Sequence, residues 1–240
     1  MSPTTLKRIR NLGGLTALSL ALAAPAFAAP VPTMTLKNPT PMQKPTPPAT
    51  GTFKLPQPTD VLLNGNGDAT TGADGSGQTV CPVHWSCTRQ FTVVKYGVED
   101  FPTSSSAGPA DRGANMFAGG NEGPDSQATQ TVDLRSFSGR ISSGQATFTL
   151  SGYLGGWDDQ NDHTVVSVEF FDSSNHSLGA PTSLQTVTPG DRNGVRGFVE
   201  RTATGSVPTG TASAKVTIAA TEDNGGYNDG YADSLHLIIN

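Results

Sequence analysis

An all-β fold, built as an antiparallel β-sandwich or barrel, is what this sequence predicts, and three observations predict it. Apolar residues recur with a period of two over short runs, which places alternate side chains on one face of a strand. Clusters of Gly, Pro, Asn, Asp and Ser, the residues that make turns, separate the runs. No amphipathic stretch is long enough for a helix, so nothing supplies the crossovers that parallel strands need. Composition agrees: the 240 residues include 28 Gly and 18 Pro and are only 15% charged, a poor choice for helices. Fifteen basic against 20 acidic residues give a net charge of −5, so no nucleic-acid partner is expected on electrostatic grounds.

In chain order, the first segment is an address. Lys7, Arg8 and Arg10 form a basic region, residues 12–24 are apolar, and Ala26-Phe27-Ala28 is a small-residue cleavage site. Residues 1–28 are therefore expected to be a secretory signal peptide cut near Ala28, leaving a secreted chain. About a dozen apolar residues cannot cross a ~30 Å hydrocarbon core, and no longer apolar run follows, so no membrane span is expected. Residues 29–59 interleave Pro30, Pro32, Pro39, Pro41, Pro45, Pro47, Pro48, Pro56 and Pro58 with Thr and Lys, which favours an extended polyproline spacer. A tether to a partner and a tail without one are both consistent with it.

Residues 60–240 read as one β domain. The clearest run, residues 146–154, alternates strictly and puts Phe148, Leu150 and Leu154 on one face. Residues 214–219, 166–170, 91–96 and 235–239 repeat the pattern, and residues 61–63, 128–134, 183–187 and 198–203 are weaker strands. Nine short strands with turns between them suit one antiparallel domain.

Cys81 and Cys87 are the only cysteines, and in an exported chain an even count predicts one disulfide. A zinc site needs four ligands, and only His84 lies between the two thiols. The pinned loop carries Trp85, which suits either a stacking platform or a cap on the edge of the core. His84, His163, His176 and His236 are scattered, without a metalloprotease pair or a nucleophile elbow. Two acidic loops, residues 155–162 and 222–233, combine carboxylates, amides and glycines, which suits either Ca²⁺ or plain Asx-Gly turns.

Three segments together carry a resemblance. Leu62-Leu63-Asn64-Gly65-Asn66-Gly67-Asp68-Ala69 resembles the opening "L-x-x-N-G-D-x-E" of carbohydrate-binding modules from secreted cellulases and xylanases. Gln130-Thr131-Val132-Asp133-Leu134, followed by residues 146–152, resembles their "Q-x-V-D-L … Y-T-L-S" strand pair, and Tyr231-Ala232-Asp233-Ser234-Leu235-His236-Leu237 resembles their closing "Y-x-D-D-V-x-L". The resemblance implies a galactose-binding-domain-like jelly roll from about Val61 to the C-terminus. It also implies a structural Ca²⁺ that joins the opening loop to the closing strand, which nominates Asp68 and Asp233 as metal ligands. Thr70 departs from the pattern, where the family carries Glu.

By the same resemblance the chain is a non-catalytic module whose partner is carbohydrate or another cell-surface polymer. Sugars offer apolar ring faces and hydroxyl edges, so the binding residues should be aromatic platforms beside polar side chains. Trp157 and Tyr227 are the first candidates, with Tyr231, Asp158, Asn161 and Asn228 around them. The competing expectations are a structural or adhesive extracellular protein of the same fold with no sugar site, and a small secreted hydrolase.

Overall fold

A computed structural model describes residues 57–121, 125–223 and 226–240; the expected signal peptide and nearly all of the spacer lie outside them. Two antiparallel sheets form the domain. The first runs in the order β3 (Thr92–Lys95), β4 (Asn115–Asn121), β11 (Tyr227–Ile239), β6 (Thr147–Gly156) and β9 (Gly197–Ser206), and β1 (Thr59–Asp60) also pairs with β11. The second runs β2 (Ser86–Thr88), β5 (Asp125–Asp133), β10 (Ser213–Thr221), β7 (His163–Phe171) and β8 (Thr182–Ser183). The all-β sandwich is thus the fold.

Alternation builds the core between the sheets. Phe148, Leu150 and Leu154 of β6 meet Val166, Val168 and Phe170 of β7, with Val216 and Ile218 of β10 and Leu235, Leu237 and Ile239 of β11. β5, β7 and β10 are in unbroken register, Val216 facing Gln130 on one side and Val168 on the other. That register follows from burial, because a slip of one residue sends every apolar side chain to the wrong face.

At β4 and the first half of β11 the first sheet is buried on both faces. Phe117 of β4 and Ala232 of β11 point into the main core, whereas their neighbours Met116, Ala118 and Tyr231 belong to a second apolar cluster on the outer face. Phe198 of β9 and Val94 of β3 join this outer cluster, as does Phe101, which arrives on a loop. An outer face this apolar must be roofed, and the segments around Ala73, Val80, Tyr96, Val98 and Phe101 cover it. The candidate site lies in this roof.

Several expectations need correction. Residues 115–121 form a full strand, β4, that is not among the expected strands and that contains Gly119 and Gly120. A Cβ at Gly119 would lie 2.2 Å from the Asn228 side chain, so the glycine there admits a buried asparagine from the neighbouring strand. The span from Tyr227 to Asp233, expected as a loop, is the first half of β11, with register shifts between Asn228 and Tyr231 and between Asp233 and His236. Residues 61–63 lie outside the strands, since β1 ends at Asp60, and of the expected span 183–187 only Ser183 lies in a strand, β8. One five-residue α-helix, α1 (Ser138–Ser142), bridges β5 and β6.

Cys81 and Cys87 form the expected disulfide, with Cα atoms 5.8 Å apart. The chain-entropy model assigns a loop this short roughly 2 kcal/mol. Of the two readings of Trp85, the core cap holds: the residue is buried edge-on against Phe117, and its indole N–H donates to Asn64 O at 3.1 Å.

Candidate functional site

An open cavity of about 270 Å³ lies on the roofed face, lined by Ser76, Glu99, Asp100, Phe101, Trp157, Gln160, Tyr227, Asp229 and Tyr231. Four segments build it: the β6–β7 loop, the first half of β11, the loop after β3, and the stretch between β1 and β2 that carries Ser76.

The β6–β7 loop starts where β6 ends at Gly156. Arg192, itself buried, reaches under it from a short 3-10 turn, and its guanidinium donates to Gly156 O (3.0 Å), Asp158 O (2.8 Å), Val195 O (2.8 Å) and Gln160 O (3.1 Å). A planar donor fork ringed by carbonyls supplies donors to a loop that has no ladder of its own, while Arg192 Nε stays buried without a partner among the described residues. Asp158 takes a left-handed backbone, φ 38°, at the turn. Its carboxylate accepts from Arg196 Nε and Nη2, both at 3.2 Å, and this pairing lowers its pKa.

Arg196 also lies 4.8 Å from the centroid of the Trp157 ring and donates to the backbone oxygen of Asp100, with the Asp100 carboxylate 3.6 Å away. One guanidinium therefore fixes Trp157, Asp158 and the Asp100 loop together. On that loop, Glu99 accepts the backbone N–H of Ser76 at 2.8 Å, which holds its carboxyl below the usual range. Phe101 packs edge-on against Tyr227, with ring centroids 5.2 Å apart.

From β11 come Tyr227, Asp229 and Tyr231, spaced two apart. Asp162 anchors the start of this strand by accepting the Asp223 N–H at 2.8 Å and the Asp229 N–H at 2.9 Å. Tyr231 is fully buried and its hydroxyl donates to Asp229 Oδ1. Burial pushes the Asp229 carboxyl up to about 6, against the opposing pull of the Tyr231 bond. Two other polar atoms in the cavity wall, Tyr227 OH and Gln160 Oε1, are buried without a hydrogen-bond partner among the described residues. Burial also raises the Tyr227 pKa. Such atoms are costly to leave unpaired, and a ligand's hydroxyls can pair them.

Of the residues named from sequence, Trp157, Tyr227 and Tyr231 line the cavity together. Asp158 stands behind Trp157, engaged with Arg196. Asn228 is buried on the other side of β11, where Nδ2 donates to Ala220 O and Oδ1 accepts from the Gly230 N–H, both at 3.1 Å. Asn161 is exposed and lines a separate depression with His163, Val187 and Asp223. The wall formed by Glu99, Asp100 and Phe101 was not foreseen, nor was the Arg192 and Arg196 scaffold. None of the four histidines lines the cavity.

Asp68 and Asp233 lie elsewhere on the roofed face. Asp68 Oδ1 accepts the backbone N–H groups of Ala114 (2.9 Å) and Asn115 (3.0 Å), and Oδ2 accepts from Asn66 Nδ2 (3.0 Å). Asp233 is fully buried, accepting the Tyr96 hydroxyl at 2.5 Å and its neighbour's N–H from Ser234 at 2.6 Å. Burial raises the Asp233 carboxyl to about 7, and the Asp68 charge adds to the rise. The Asp68 charge thus reaches the Asp233 carboxyl. Among the described residues no group of three or more His, Cys, Asp or Glu side chains is placed to hold a metal. The remaining oxygens of a Ca²⁺ shell have to come from carbonyls and water.

No family model matches the chain, and no curated protein matches it. Among solved structures it is similar to the enzymatically active domain of bacteriophage CBA120 tailspike protein 4, at 15% identity and a TM-score of 0.47, over 75% of this chain and 21% of that one. The chain thus spans about a fifth of that tailspike domain. It is also similar to TmCBM61 in complex with β-1,4-galactotriose (14% identity, TM-score 0.43, 75% of this chain and 97% of that one). A third is the C-terminal family 22 carbohydrate-binding module of Clostridium thermocellum Xyn10B (13%, 0.40, 65% and 85%).

Proposed function

We propose that the chain is an exported, non-catalytic module that binds carbohydrate or another cell-surface polymer in the cavity between Trp157 and Tyr227. One observation carries the reading: Trp157, Phe101, Tyr227 and Tyr231 converge on an open cavity that also presents Asp229, Glu99 and a Tyr227 hydroxyl without a partner among the described residues. Aromatic faces suit the apolar face of a pyranose ring, and the polar atoms suit its hydroxyl edge. Export rests on Lys7, Arg8, Arg10 and the Ala26-Phe27-Ala28 site. Among the described residues no helix is long and apolar enough to cross a membrane. Calcium belongs to this reading as a structural ion held by Asp68 and Asp233.

Retention on a panel of immobilised polysaccharides tests the binding role. Retention that Trp157→Ala abolishes, without a change in the unfolding midpoint, supports it. Retention on no polymer overturns it in favour of a structural or adhesive role, and hydrolytic turnover of a retained polymer overturns its non-catalytic part.

A further inference from the structure

We infer that the cavity selects a saccharide bearing a free ammonium group over a neutral one, an inference that rests on the saccharide reading above. The lining is rich in acceptors and poor in cations: Glu99, Asp100 and Asp229 contribute carboxylates, and no Lys, Arg or His lines it. The nearest guanidinium, Arg196, stands behind Trp157 and is occupied by Asp158 and by the Asp100 loop.

Asp229 is the deepest of the three acids, only 9% exposed. Its Oδ1 accepts from Tyr231, and Oδ2 has no hydrogen-bond partner among the described residues. Burial raises its pKa despite the Tyr231 bond and the Arg196 and Arg192 charges, so the ionised carboxyl gains from a further donor or positive charge. A neutral sugar can donate a hydroxyl to Oδ2 but cannot offset the charge, whereas an ammonium offers three donors and a full positive charge. The walls favour the same ligand. The rings of Trp157, Phe101, Tyr227 and Tyr231 line the same cavity as the carboxylate, and aromatic faces attract cations as well as apolar sugar faces. Glu99, at the exposed rim, extends the negative potential to the entrance.

The test uses three β-1,4-linked tetrasaccharides that differ at C2: tetraglucosamine, its fully N-acetylated form, and cellotetraose. Titration calorimetry of the purified chain, at a pH where the amine is protonated, should show tetraglucosamine binding about tenfold or more tightly than the other two, a preference that salt weakens. Asp229→Asn should reduce the preference, lowering tetraglucosamine affinity by a larger factor than cellotetraose affinity. Glu99→Gln, at the exposed rim, should reduce it in part and serves as the readout if Asp229→Asn fails to fold. Equal or weaker binding of tetraglucosamine overturns this inference and leaves the saccharide reading standing. Failure to bind any of the three or any polymer of the panel overturns both.

Discussion

The guanidinium of Arg196 lies 4.8 Å from the centroid of the Trp157 ring while two of its nitrogens each hold the Asp158 carboxylate at 3.2 Å. Its remaining nitrogen is bound at the Asp100 loop, so a single side chain crosses from one wall of the cavity to another. This arrangement makes Arg196 a positioning residue: it fixes the tilt of the indole from behind. Arg196→Met keeps much of the aliphatic stem and removes the cation. The variant should lose severalfold in polymer affinity, in line with a cation–π contact of about 0.5–1 kcal/mol and a partly exposed ion pair. Its unfolding midpoint should change little. Unaltered affinity in a titration would show that Trp157 holds its place without Arg196.

Arg192 does a different job, and its loss should be felt as stability. It is buried and donates to four carbonyls, at Gly156, Asp158, Gln160 and Val195. Arg192→Met removes the donors and leaves those carbonyls without partners in a site that water reaches poorly, at about 1–3 kcal/mol for each one stranded after relaxation. A total loss on the order of 3 kcal/mol in urea unfolding is expected, with polymer binding weakened in the protein that remains folded. A loss below about 0.5 kcal/mol, the range of ordinary surface changes, would show that water replaces the clamp.

Where the sequence was readable, one physical signal was enough. The alternation of residues 146–154 places β6 and its inward face, and the same period sends Tyr153 outward toward the roof. The Trp157 loop follows because it connects two strong strands. Tyr227, Asp229 and Tyr231 were visible as a cluster of aromatic and acidic residues, but Asx-Gly spacing reads as a turn, and their strand became visible only through pairing with β4 and β6. β4 itself was hidden by Gly119 and Gly120, which serve close packing: a Cβ at Gly120 would lie 1.8 Å from Gln90 O, and the residue sits at φ 97°. The wall at Glu99, Asp100 and Phe101 comes from a loop distant in sequence from Trp157, and no local pattern announces such a juxtaposition. Arg192 and Arg196 carry no local signal either, since their role depends on the carbonyls and carboxylate that folding brings to them.

Calcium gives the third expected outcome. If Asp68 and Asp233 hold the ion, its binding relieves the repulsion that helps keep the Asp233 carboxyl near 7, so affinity should rise with pH across that value. At about 100 times its Kd the ion should add ~2.7 kcal/mol, several degrees in the melting midpoint of a domain this size. Asp68→Asn should remove most of that gain. Identical midpoints in excess Ca²⁺ and in chelator would eliminate the ion and leave the rest of the proposal in place.

Asp229 links the cavity to the pH dependence of stability. Its folded pKa, about 6, lies above the ordinary value of 3.8, so the folded state binds this proton more tightly than the unfolded chain does. The stabilisation from that proton is complete below about pH 4 and is lost as pH rises through about 6, leaving a buried charge that costs stability at neutral pH. Asparagine removes the charge and keeps an oxygen to accept the Tyr231 hydroxyl. Asp229→Asn should therefore be more stable than the parent at pH 7.5, with the advantage shrinking toward pH 4.5. The rise from 3.8 to about 6 sets a ceiling of roughly 3 kcal/mol, and solvent in the open cavity screens part of it, so a difference on the order of 1–2 kcal/mol between the two pH values is expected. Urea unfolding of both proteins at each pH measures it. The same advantage at both pH values would mean that Asp229 titrates as an ordinary carboxyl, and that the charge at the base of the cavity is already compensated.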